Sequence, residues 1–70
     1  MPLTAAPIGV ELKVLQHRAN GDLKRHLDNL GILPGQSITL LAENGGDLIV
    51  RVCQSRLAIN RGLATKIFVD

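Results

Sequence analysis

Asp22-Leu23-Lys24-Arg25-His26-Leu27-Asp28-Asn29-Leu30-Gly31-Ile32-Leu33-Pro34-Gly35 reads as one short helix with a hard stop at its C-terminus. Leu23, Leu27 and Leu30 fall at i, i+4 and i+7, which is one face of a 3.6-period helix. Asp22 or Asn20 suits the start, because a short side-chain oxygen there accepts an orphan backbone N–H. Gly31 stands where a helix exit needs a left-handed residue, and Ile32 can fold back onto the last turn. Pro34 forbids the helix from resuming, and Pro34-Gly35 sets a tight turn. The spacing predicts a core stripe of Leu23, Leu27 and Leu30, with Lys24, Arg25, Asp28 and Asn29 facing solvent.

Outward from this helix the chain is β-like. Met1 to Pro7 holds two prolines and small residues and reads as an extended lead-in. In Ile8 to Arg18, Val10, Leu12 and Val14 alternate with Glu11 and Lys13; Leu15 breaks the pattern and predicts a bend or bulge. Gln36 to Glu43 alternates again, with Ile38, Leu40 and Ala42 opposing Ser37, Thr39 and Leu41. Asn44-Gly45-Gly46-Asp47 then joins it to Leu48–Val52 as a hairpin. Cys53 to Arg56 reads as a turn and Leu57–Ile59 as a short strand. Asn60 can cap a helical turn over Arg61 to Thr65, and Lys66 to Val69 forms the last strand, with Ile67 and Val69 on one side. Five short strands, one helix and one helical turn predict a mainly β domain, a small and partly closed barrel over residues 1–70. Closure also limits exposed strand edges.

Size and composition exclude much. A 70-residue chain has room for one core and no cleft between lobes. Cys53 stands alone, so no internal disulfide staples the fold. The opening lacks a basic segment followed by an apolar run, and no stretch reaches the length of a membrane-spanning helix. A reducing, cytoplasmic location is the simplest expectation. Net charge is only +2, and Phe68 is the sole aromatic, which removes the stacking platform of single-strand-binding β domains.

His17, His26 and Cys53 are the soft or borderline metal ligands, and they lack the short spacing of a metal site. Glu11, Asp22, Asp28, Glu43, Asp47 and Asp70 are scattered, whereas ferrous iron favours clustered His and carboxylate. Ser37, Ser55 and Thr39 have no catalytic motif around them, and no glycine loop matches a phosphate cradle. The expectation is no enzyme, no cofactor and no resident metal.

The run Leu27-Asp28-Asn29-Leu30-Gly31-Ile32-Leu33-Pro34-Gly35, Ile38 with its hairpin, Arg56-Leu57-Ala58-Ile59, and Ala64 before Ile67-Phe68-Val69 resemble the FeoA family. These are small cytosolic accessory proteins of bacterial ferrous iron transport. The resemblance covers about Thr4 to Val69. It implies an SH3-like barrel, no enzymatic activity, and a membrane transporter with a cytosolic GTP-binding domain as partner. The chain departs from the family pattern at Arg25-His26, often a double Arg, at Leu30, often Met, at Gln54-Ser55, where a Gly is favoured, and at Arg61-Gly62, often acidic.

The function expected is therefore a non-enzymatic accessory or regulatory protein of bacterial ferrous iron uptake, peripheral to the membrane through its partner. The candidate partner-binding residues are Lys24, Arg25, Asp28, Asn29 and Arg56. Two alternatives stand beside it: a small basic barrel placing Arg51, Arg56 and Arg61 on nucleic-acid phosphates, and a metal-responsive sensor domain.

Overall fold

The computed structural model describes residues 1–70. Strands β1 (Glu11–His17), β2 (Ser37–Asn44), β3 (Asp47–Val52), β4 (Ser55–Asn60) and β5 (Ile67–Val69) form one antiparallel sheet in the order β4-β3-β2-β1-β5. Helix α1 (Gly21–Asn29) connects β1 to β2, and the short helix α2 (Arg61–Ala64) connects β4 to β5. The two end strands, β4 and β5, do not pair, so the SH3-like barrel is only partly closed. Its core is apolar: Val14, Leu27, Ile32, Ile38, Leu40, Leu48, Val50, Val52, Ile67 and Val69 are almost completely buried. Side chains of this size each favour folding by about 1.5–3 kcal/mol when removed from water.

The helix exit is built as its residues predict. The Ile32 N–H donates to the Leu27 carbonyl and the Gly31 N–H to the Asp28 carbonyl, both at 3.0 Å. This double bond pattern is a Schellman motif, and it needs Gly31 at φ +87°. Leu27 and Ile32 are both fully buried, the apolar pair that accompanies the motif. Leu33-Pro34-Gly35-Gln36 then turns tightly: the Gln36 N–H donates to the Leu33 carbonyl at 3.0 Å, with Gly35 at φ +91°. Bonds between Gly35 and Val14 and between Val14 and Gln36, at 2.8 and 2.9 Å, fasten this exit to β1.

Four expectations are corrected. The lead-in is not extended throughout: Leu3–Ala5 is a 3-10 turn between extended Pro2 and Ala6. The turn drops Leu3 into the core, while Pro2 bridges to Phe68 and the Val69 N–H donates to the Met1 carbonyl at 2.7 Å. Covering β5 in this way protects an otherwise bare strand edge. Neither expected cap oxygen closes the start of α1: Asn20 is the N-cap residue, yet its side chain makes no cap bond, and Asp22 lies within the first turn. The exposed first turn leaves those N–H groups to water. The β2–β3 register shifts between Leu40 and Ala42, so Ala42 turns outward and Leu41 is half-buried. One extra residue reverses the two-residue alternation beyond it. Finally, Val10 precedes β1 and is exposed, while Leu12 is half-buried and Val14 fully buried.

Other features match. The β1–β5 register shifts between Val14 and Gln16, the bulge that Leu15 foretold, and Leu15 points outward. Asn44 pairs with Asp47 across a two-residue Gly45-Gly46 loop. The Asn60 side chain accepts the Leu63 N–H at 2.7 Å and caps α2.

Candidate partner-binding site

Helix α1 carries four of the five candidate residues. Lys24 and Asp28 are one turn apart, and the Lys24 Nζ donates to the Asp28 Oδ2 at 3.1 Å. Asp28 was expected to face solvent. Instead it is half-buried, with Oδ1 3.4 Å from the Nε2 of His17 at the end of β1. The His17 side chain is only 5 % exposed, and neither ring nitrogen nor the Asp28 Oδ1 has an aligned hydrogen-bond partner. The adjacent Lys24 ammonium, hydrogen-bonded to Asp28, holds that carboxyl below its ordinary range; His17 adds a smaller attraction, and burial opposes both. Lys24, Asp28 and His17 thus tie the helix to the sheet.

Arg25 is exposed and pairs loosely with Asp22 at 3.5 Å, and Asn29 is exposed beside the helix exit. Arg56 lies on the end strand β4, in register with Arg51 of β3, with no ion pair or hydrogen bond to the helix. Like charges opposite each other on a sheet repel. The structure therefore brings Lys24, Arg25, Asp28 and Asn29 together on one helix and leaves Arg56 on β4, bonded to none of them.

The leucine stripe also divides. Leu27 is fully buried and Leu30 packs against the core, but Leu23 is half-buried away from it. Leu23 instead lines an open groove of about 370 Å³ between α1 and α2, with His26, Asn60, Gly62, Leu63 and Lys66. The first turn of α1 faces α2 rather than the sheet, which periodicity alone does not reveal. A smaller, polar groove of about 210 Å³ crosses the sheet where Lys13, Ser37, Thr39 and Arg51 meet.

The possible metal ligands stay apart. His17 is enclosed beside Asp28, His26 is at the α1–α2 groove, and Cys53 occupies the β3–β4 turn with Sγ 4.0 Å from Gln36 Oε1. No three His, Cys, Asp or Glu side chains gather where they could hold an ion. No helix is long and apolar enough to cross a membrane.

A family model described as the FeoA domain matches residues 1–70. The chain belongs to the FeoA family. Solved FeoA structures agree. An iron uptake regulatory protein (FeoA) is 28 % identical, with a TM-score of 0.89 over 99 % of this chain and 93 % of that one. A FeoA from Stenotrophomonas maltophilia, solved with zinc, is 29 % identical, with a TM-score of 0.85 over 100 % of this chain and 89 % of that one. That protein is described as a prokaryotic SH3 domain protein and a candidate activating factor for bacterial ferrous iron transport. A manganese-dependent transcriptional repressor shares the fold, with a TM-score of 0.87 at 21 % identity over 99 % of this chain and 40 % of that one. Comparison with curated protein sequences gives no match. The FeoA family ties this chain to ferrous iron transport.

Proposed function

We propose that this chain is a non-enzymatic accessory protein of bacterial ferrous iron uptake, working in the cytoplasm by binding the cytosolic part of the membrane ferrous iron transporter. The observation that carries the reading is the FeoA match along the entire chain, residues 1–70. The architecture is in keeping with it: the core is apolar, and the enclosed polar contact of His17 with Asp28 joins the helix to the sheet. A barrel with 4110 Å² of accessible surface would give roughly a fifth of it to a standard interface of about 800 Å² per partner. Such a patch covers a whole helix face and its neighbours.

Helix α1 is the contact element in this reading, with Arg25 and Asn29 as its free side chains. Lys24 and Asp28 hold the presenting helix in place, and Arg56 extends the contact only if the partner wraps onto β4. The test is binding of the purified chain to the transporter's cytosolic region by calorimetry. Arg25→Glu with Asn29→Lys is expected to weaken binding roughly tenfold, as losing a few rim contacts does. Undiminished binding, with an unchanged circular dichroism spectrum, would remove this helix face from the reading.

A further inference from the structure

Of the three grooves, only the one between α1 and α2 is lined by two leucines and a lysine with no carboxylate among its walls. Leu23 and Leu63 provide the apolar walls, and both are half-buried. Leu63 packs on the core from behind, so this wall is fixed. Leu23 is neither in the core nor packed against it, and its side chain lines the groove. A volume of about 370 Å³ lies at the small end of the range of about 300–1,000 Å³ for ligand sites, room for a side chain or two.

The charge around the groove selects its occupant. Asp28 is paired with Lys24 and Glu43 with Arg61, while the exposed Asp22 and Asp47 lie outside the groove's lining. Lys66 and His26 line the groove and have no carboxylate within 4.0 Å. Lys66 offers an ammonium and His26 an imidazole N–H, while no acidic residue lines the site. The Asn60 oxygen already accepts the Leu63 N–H at 2.7 Å.

We propose that the groove between α1 and α2 docks an acidic segment of a protein partner, seating a leucine-sized side chain between Leu23 and Leu63 and a flanking carboxylate on Lys66 and His26. The inference deepens the binding-module reading above by naming the chemistry of what is bound. An apolar anchor in a small pocket supplies affinity, and the rim charge sets direction and preference. A basic or wholly polar segment gains nothing here.

The probe is a capped peptide with one Leu flanked by Glu on both sides, titrated into the isotope-labelled chain and followed by NMR. Saturable shifts are expected at Leu23, His26, Leu63 and Lys66. Replacing the peptide's Glu by Gln weakens binding roughly threefold or more, and Lys66→Glu weakens it roughly tenfold. With Lys66→Glu the preference reverses toward a peptide carrying Lys in place of Glu. Leu23→Ala abolishes saturation while leaving the fold intact. Shifts that are absent or spread over the barrel, or that survive both substitutions, overturn the proposal. The transporter's cytosolic region gives a separate arm. Competition between it and the peptide supports both readings. If the peptide binds without competing, the groove stands and the transporter reading fails for this surface. If the transporter region binds and neither substitution weakens it, the groove is overturned and the transporter reading survives.

Discussion

Leu27 and Leu23 lie one helical turn apart on α1, yet Leu27 is fully buried and Leu23 is half-buried beside α2. Everything downstream of Leu27 is fastened: two Schellman bonds, the Leu27–Ile32 pair, the Pro34-Gly35 turn, and the bonds from that turn to Val14. Upstream, Asn20 makes no side-chain cap bond, and the Arg25–Asp22 pair sits in solvent. A salt bridge between groups this exposed adds about 0–1 kcal/mol. The same nine-residue helix thus has one end that holds the barrel and another free to be a contact surface. The division follows from which end faces the sheet, since apolar spacing is equal at both.

The comparison breaks first at Leu27. Leu27→Ala is expected to cost about 2–5 kcal/mol, because the fully enclosed side chain leaves a cavity that its neighbours only partly fill. Urea unfolding measures it, and a loss under about 1 kcal/mol would mean that the two leucines are equivalent after all. Next comes Gly31→Ala. A Cβ there meets Cys53 Sγ and Val52 Cγ1 at 3.5 Å, an ordinary contact, so the cost is conformational. An L-residue held left-handed should lose about 1–2 kcal/mol. A neutral result would show that the exit does not depend on its Schellman geometry. Leu23→Ala, at the other end, should change stability by less than about 1 kcal/mol while removing docking in the α1–α2 groove. A large destabilisation would return Leu23 to the core.

How far this division was legible depends on the range of the interactions. The helix exit was fully readable, because Gly31, Ile32, Pro34 and Gly35 act on backbone within a few residues of themselves. The bulge at Leu15 was readable because a second apolar residue follows Val14 and breaks the alternation. The bulge beyond Leu40 was not, because Leu40-Leu41-Ala42 is apolar in either register. Leu3 hid among prolines, and its burial depends on Phe68 and Val69, more than sixty residues away. At the candidate site, Lys24 and Asp28 read only as solvent-facing residues, although their i,i+4 spacing permits the pair they form. The His17–Asp28 approach was not readable, since it arises only when the end of β1 and the last turns of α1 are folded together. The groove escaped for the same reason: Leu23 and Leu63 are forty residues apart, and only the packing of α1 near α2 joins them.

Asp28 sits on the boundary between the two ends and offers the finest test. Its carboxyl is held below the usual 3.8, chiefly by the Lys24 hydrogen bond. A depressed folded-state value means that the folded chain holds fewer protons than the unfolded chain near that pH. The contribution is therefore complete above 3.8 and is lost as pH falls through the lower, folded-state value. Asp28→Asn should make the chain slightly less stable at neutral pH, and the gap from the native chain should close below pH 3.8. Urea midpoints across an acid series measure this. A gap that stays constant through complete protonation would show that the Asp28 charge does not fasten the helix. If the gap closes as expected and transporter binding is unchanged in Asp28→Asn, then Asp28 belongs with Leu27 to the end that holds the barrel. The contact surface would then contract to Arg25, Asn29 and the groove beside Leu23.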